Sequence, residues 1–182
     1  MKYLVIGAGG AGGVLGTTLA EHGYDVTLIA RGRHLESIQK NGLIIHQLWD
    51  DQERGICVPA YREEEYTGTA DVIFVCVKGY SIPDVIPFLS RVASAASVII
   101  PILNIYTTGD TLRKALPDLC ILDGCIYVSA NIESPGKILQ HSPILRVVFG
   151  TMNAQCTAPI LSQIECELNA AGIRGIHDHG RP

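Results

Sequence analysis

The stretch Lys2-Tyr3-Leu4-Val5-Ile6-Gly7-Ala8-Gly9-Gly10-Ala11-Gly12 decides the fold. Its first five residues are an apolar run that reads as a buried parallel strand. The six that follow fit G-x-G-x-x-G, and each glycine has a separate reason. Gly7 allows the tight turn out of the strand, Gly9 lets the backbone approach a pyrophosphate, and Gly12 lets the next helix pack closely on the sheet. Isolated, such a pattern also makes ordinary strand-to-helix turns; here it follows a strand and opens a helix. Gly7, Ala8, Gly9, Gly10, Ala11 and Gly12 are therefore expected to cradle a dinucleotide, with its pyrophosphate at the positive end of the helix.

Working outward, Ala11–His22 carries apolar residues at helical spacing, with Gly23 as its cap. Tyr24–Ala30 reads as a second strand, which completes a βαβ unit of roughly 30 residues. That strand ends in Arg31-Gly32-Arg33, and no acid follows until Glu36. An NAD site usually places a carboxylate there to accept from the ribose 2′-hydroxyl, whereas a guanidinium can grip a 2′-phosphate. The position points to NADP, with Arg31 as the main contact and Arg33 as a helper. As bare loop charges, the two arginines would simply be solvated.

Further along, His34–Lys40 reads as a short helix stopped by Asn41-Gly42. Leu43–Leu48 and Ile56–Pro59 bracket a polar turn and could pair as a hairpin. Asp71–Val77, Ser97–Leu103 and Leu119–Leu122 read as strands, with helices at Ile82–Val92 and Thr111–Leu116. After these the pattern changes: Cys125–Ile132, Lys137–Gln140 and Leu145–Phe149 are strand-like runs separated by turns, the clearest being Ser134-Pro135-Gly136. Ala158–Ala171 reads as a last amphipathic helix. The expected fold is α/β, a Rossmann-type doubly wound parallel sheet with an antiparallel strand extension. Residues 1–171 form the domain in this reading, and 172–182 a flexible tail. His177 and His179 on that tail could ligate a metal, but a frayed polar end explains them more simply, so no metal is expected.

With 182 residues, 47% hydrophobic and 18% charged, the chain is compact and globular in composition. Its net charge of −4 and the lack of a basic run exclude a general nucleic-acid binder. No stretch approaches the roughly 18 uninterrupted apolar residues of a membrane span, and the N-terminus lacks the form of a signal peptide. The six cysteines, Cys57, Cys76, Cys120, Cys125, Cys156 and Cys166, show no C-x-x-C pair. Free thiols in a cytoplasmic protein are expected, with Cys76 a buried one. The oligomeric state is not readable, and a homodimer stays open.

Two polar residues end apolar strands: Lys78 after Val72–Val77, and Asn104 after Val98–Leu103. Ligands of open α/β sheets bind at the carboxyl ends of strands, the same edge as the glycine loop. A surface lysine and a turn asparagine are the bland alternatives. Tyr80, Tyr106 and Tyr127 either line a pocket or merely pack.

Taken in order, Gly7–Gly12, Ala30-Arg31-Gly32 with His34-Leu35, Gly42-Leu43, Val77-Lys78, Leu103-Asn104, Ser134-Pro135-Gly136, His141 and Phe149-Gly150 resemble the ketopantoate reductase (2-dehydropantoate 2-reductase) family over essentially the whole chain. The resemblance implies NADPH-dependent reduction of 2-dehydropantoate to pantoate, a step toward pantothenate. By position it implies that Arg31 holds the 2′-phosphate and Lys78 lies along the cofactor. It places Asn104 between nicotinamide and substrate, and the Ala130 backbone against the cofactor. The family usually has glycine after this asparagine; here Ile105 and Tyr106 follow, which leaves another small 2-keto acid open as substrate. Ketone reduction also needs a proton donor. The resemblance places that lysine in a helical second domain beyond Pro182. The expectation is a cofactor-binding half with no catalytic residue of its own, inactive alone; a non-catalytic NADP-binding module is the competing reading.

Overall fold

The computed structural model describes residues 1–105, 108–150 and 158–178. The glycine-marked βαβ unit forms as β1 (Lys2–Ile6), α1 (Gly10–Glu21) and β2 (Asp25–Ile29). Gly23 ends α1 at φ +82°, its N–H bonded to the Ala20 carbonyl. Next come α2 (Gly32–Asn41), a hairpin of β3 (Leu43–Gln47) and β4 (Gln52–Ile56), and a two-residue strand β5 (Ala60–Tyr61). The second half of the doubly wound unit follows as β6 (Val72–Val75), α3 (Ile82–Val92), β7 (Val98–Pro101), α4 (Thr108–Ala115) and β8 (Cys120–Ile121). The remainder is β9 (Asp123–Tyr127), β10 (Ala130–Ser134), β11 (Lys137–Gln140), β12 (Arg146–Gly150), α5 (Ala158–Ala170) and β13 (Arg174–Asp178).

Six parallel strands form the main sheet in the order β5-β2-β1-β6-β7-β8. The order turns back on either side of β1, so the crevice between the β2 and β6 connections opens where the glycine loop stands. Side chains alternate across each strand. Tyr3, Val5, Val72, Phe74, Val98 and Ile100 face one core with Val14, Leu15 and Leu19 of α1 and Leu161, Ile164 and Leu168 of α5. Leu4, Ile6, Ile73, Val75 and Ile99 face the other, with Val85, Phe88, Leu89 and Val92 of α3 and Leu112 of α4. Burial on both faces is why these strands read as continuous apolar runs.

The α/β doubly wound fold is the one expected, while its extension differs. Cys125–Ile132 is not one strand: β9 and β10 belong to different sheets. One is β10-β11-β3-β4, in which β11 runs parallel to β3, and the other is β13-β12-β9, in which β12 is antiparallel to β9 and parallel to β13. Both additions are mixed, because strands distant in sequence meet there. Local turn signals cannot show such pairings.

The flexible-tail reading is corrected over residues 172–178, while 179–182 lie outside the described residues. Gly172, at φ +74°, turns the chain at the end of α5, and residues 174–178 return as β13 beside β12. His177 is buried, stacked on Phe149 with ring centroids 5.6 Å apart, and its N–H donates to Glu165 Oε1 at 3.1 Å. Two glycines and a histidine hid this strand, whose burial comes from α5 above it. His179 lies outside the described residues. Among the cysteines, Cys57, Cys76, Cys125 and Cys166 are free, but Cys120 is disulfide-bonded; spacing along the chain does not report nearness in space. Among the described residues no helix is long and apolar enough to cross a membrane, and no acidic, His or Cys cluster is arranged to hold a metal.

The two ends of this chain meet at Tyr3, whose hydroxyl donates to Glu167 Oε2 of α5 at 2.8 Å. Burial, and then this bond, hold the Tyr3 phenol far above its ordinary range. Glu167→Ala strands that hydroxyl and is expected to cost about 1–3 kcal/mol in urea denaturation. Adding Tyr3→Phe should recover much of the loss; simple additivity of the two changes would show the bond contributes nothing.

Candidate dinucleotide site

The glycine loop is built by backbone close approach. Gly7 has φ +100°, open to glycine at little cost, and its N–H and that of Ala8 both donate to the Ile29 carbonyl at 3.0 and 3.1 Å. That pair pins the end of β1 to the end of β2. A side chain at Gly12 would run into the Gly7 carbonyl and come within 2.8 Å of the Cys76 Cβ, and one at Gly10 would run into the Ala130 carbonyl. Gly9 is different: a Cβ there meets nothing within 4 Å, so the loop presents open space at that point. Gly9 also precedes α1 without any side-chain cap, and no acid stands in the first turn. The helix therefore keeps unsatisfied N–H groups and its positive end toward that opening. A pyrophosphate fits such a cradle in both shape and charge.

Beneath the loop lies Cys76, at the end of β6, its N–H bonded to the Ile6 carbonyl at 2.8 Å. Burial pushes its thiol far above the ordinary range, which leaves it a small apolar filler rather than a nucleophile. Ala130, the first residue of β10, is brought against Gly10 by the same packing.

One residue of this neighbourhood escaped the sequence reading. His34, in the first turn of α2, sets Nε2 2.7 Å from the Ala8 carbonyl oxygen while its Nδ1 accepts the Gly136 N–H at 3.0 Å. Accepting at Nδ1 puts the hydrogen on Nε2, so a neutral imidazole ties the glycine loop to the β10–β11 turn. The only sequence signal was its place in the family pattern after Ala30-Arg31-Gly32.

Arg31 precedes α2 with extended backbone and is exposed at the end of β2, one residue past the Ala30 N–H that donates to the Tyr61 carbonyl at 3.0 Å. It thus shares an edge with the glycine loop, as does Lys78, exposed after β6. Asn104 stands after β7, but its amide is already engaged: Nδ2 donates to the Ile126 carbonyl at 3.1 Å and Oδ1 accepts the Ile126 N–H at 3.3 Å. It pairs with β9 as a neighbouring strand would, joining the main sheet to the third. Lys78, Gly79, Tyr80, Ile82, Pro83, Ile105, Thr108 and Thr111 line an open cleft of about 490 Å³. Ile105 fills the space over Gly79, where a Cβ would lie 2.5 Å from its Cδ1. Tyr127 is half-exposed under the Arg146 guanidinium, at 5.4 Å, rather than in this cleft, and Tyr106 lies outside the described residues.

A doubly wound sheet with an open, uncapped glycine loop is the architecture shared by dinucleotide-binding domains. Residues 3–154 match the family model described as ketopantoate reductase PanE/ApbA, and the chain belongs to that family. It is 36% identical over 162 residues to an uncharacterised oxidoreductase, YkpB, of Bacillus subtilis, covering 88% of this chain and 52% of that protein. A 2-dehydropantoate 2-reductase of Streptococcus pyogenes is 25% identical over 98% of this chain and 57% of its own length. The crystal structure of 2-dehydropantoate 2-reductase from Porphyromonas gingivalis superposes with a TM-score of 0.86 at 30% identity, covering 98% of this chain and 64% of that one. The fold is also that of D-mandelate dehydrogenase, solved with NADH, at a TM-score of 0.88 and 20% identity. The chain spans a little over half the length of the curated relatives it matches.

Two measurements check this geometry. Thiol labelling of the native chain should modify the exposed Cys57 and Cys166 rapidly and the half-buried Cys76 at least about tenfold more slowly; equal labelling of Cys76 would mean the loop does not cover its floor. His34→Ala should raise amide exchange at Gly136 about tenfold, the loss of one hydrogen bond, and an unchanged rate would refute the clip.

Proposed function

We propose that this chain is the NADP-binding half of an oxidoreductase that reduces a 2-keto acid to the 2-hydroxy acid, with 2-dehydropantoate as substrate and pantoate as product. The observation that carries this reading is one strand edge that joins an open, uncapped glycine loop to Arg31 at the end of β2. When bound, NADPH supplies the hydride. The N–H groups of Gly9–Gly12 hold the pyrophosphate, and Arg31 pairs with the 2′-phosphate. Lys78 adds a positive charge along the same edge, and the Ala130 backbone closes the loop's outer side. Asn104, oriented by Ile126, would stand between the nicotinamide and the substrate. Membership of the family, and relatives named 2-dehydropantoate 2-reductase, support the chemistry. In this reading the protein is a cytoplasmic enzyme of pantothenate biosynthesis.

Ile105 favours a second reading, in which a different 2-keto acid is the substrate. It is 55% exposed at the rim of the cleft and covers Gly79, so it narrows the space a keto acid would enter.

Thermal denaturation with each coenzyme tests the binding site. At a hundredfold excess over Kd, NADPH should stabilise the chain by about 2.7 kcal/mol, several degrees in Tm, and NADH by much less. Arg31→Ala should bring the NADPH response down to the NADH one; an undiminished response would sink the 2′-phosphate assignment. NADPH oxidation by the intact protein with 2-dehydropantoate, against other 2-keto acids, then separates the two substrates.

A further inference from the structure

The coenzyme-selecting edge of β2 has a second neighbour, supplied from elsewhere in the chain. Strand β5 runs parallel to β2 with Leu28 opposite Ala60 and Ile29 opposite Tyr61, and the Ala30 N–H extends the ladder to the Tyr61 carbonyl. Strand β5 ends at Tyr61, so the residues that follow it turn at the carboxyl end of β2, the end that carries Arg31. The segment is not loose. Residues 62–66 form a tight turn, with the Tyr66 N–H on the Arg62 carbonyl at 3.2 Å and Glu65 Oε2 accepting the Arg62 N–H at 3.2 Å. Arg91 of α3 clamps it from the other side, donating to the carbonyls of Glu63 and Tyr66, the latter at 2.7 Å. The backbone of the half-buried Glu63 is thereby held, and its carboxylate feels the charges of Glu64, Arg31, Arg91 and Asp84.

We propose that Glu63 is a second coenzyme-selecting residue, set against Arg31: its carboxylate competes with a 2′-phosphate for the guanidinium and offers an acceptor to a free ribose 2′-hydroxyl. The proposal rests on Arg31 being the 2′-phosphate contact. It supplies, from the β5–β6 connection, the acid that is missing after β2. Burial, and then Glu64, hold the Glu63 carboxyl above its ordinary range, with Arg31 and Arg91 opposing them. Specificity is a difference of two affinities, so a fixed negative charge beside Arg31 lowers the NADPH to NADH ratio below what Arg31 alone would set.

The test is calorimetric titration of the full chain and its Glu63→Gln and Glu64→Gln variants with NADPH, NADH, 2′,5′-ADP and 5′-ADP. Glu63→Gln should raise the NADPH to NADH ratio about tenfold, equivalent to about 1.4 kcal/mol, and the 2′,5′-ADP to 5′-ADP ratio in parallel. Glu64→Gln, which changes the net charge equally at the neighbouring exposed residue, should move either ratio less than about twofold. Glu63→Ala, which drops both charge and acceptor, should shift the ratio in the same direction and stands in if the glutamine variant misfolds. Ratios unchanged in the Glu63 variants, or an equal shift from Glu64→Gln, would overturn the proposal while leaving the dinucleotide site intact. A wild-type chain that binds none of the four nucleotides would overturn the proposed function, and this inference with it.

Discussion

Everything at the site depends on how closely α1 begins above the ends of β1 and β6. No side chain fits between Gly12 and the Gly7 carbonyl, and Gly10 is as tight against Ala130. This contact sets where the helix starts, and so where its unsatisfied N–H groups and positive end are aimed. Half-buried Cys76 fills the floor with a small side chain, and His34 holds the outer rim through Ala8. The opening at Gly9 is what those constraints leave over.

Charge at the site is arranged on the same strand edge but from separate parts of the sequence. Arg31 ends β2, Lys78 follows β6, and Glu63 follows β5. The mainly apolar cleft lies beyond Lys78, toward Ile105. The site thus grades from charged, where β2 and β5 end, to apolar near β7, which suits a ligand with a phosphorylated end and a small organic reacting end.

Much of this was legible in the sequence, because the first βαβ unit is local. Gly7–Gly12, the apolar run before it and Arg31 lie within 30 residues, and helix α3 falls on Ile82–Val92 as its periodicity predicts. The elements that went unread depend on partners far away. Strand β5 is two residues long and carries no pattern, and β13 is disguised by Gly175 and His177. The two mixed sheets exist because β11 finds β3 and β13 finds β12, which no turn signal encodes. Asn104 was legible as a strand-end residue, but not its pairing with Ile126, and Glu63 carried no signal without the β2–β5 register.

The His34 clip has a consequence for how the chain folds. Its two partners, Ala8 and Gly136, come from distant parts of the sequence, and Gly136 lies 102 residues from His34. The parallel pairing of β3 with β11 spans a similar stretch of chain. Contacts of such high sequence separation form slowly, since the loop they close must be ordered first. The first βαβ unit can therefore assemble early as a scaffold, while the rim of its glycine loop is completed only when β10 and β11 dock. Competence of the earliest motif in the chain is acquired at a late step of folding.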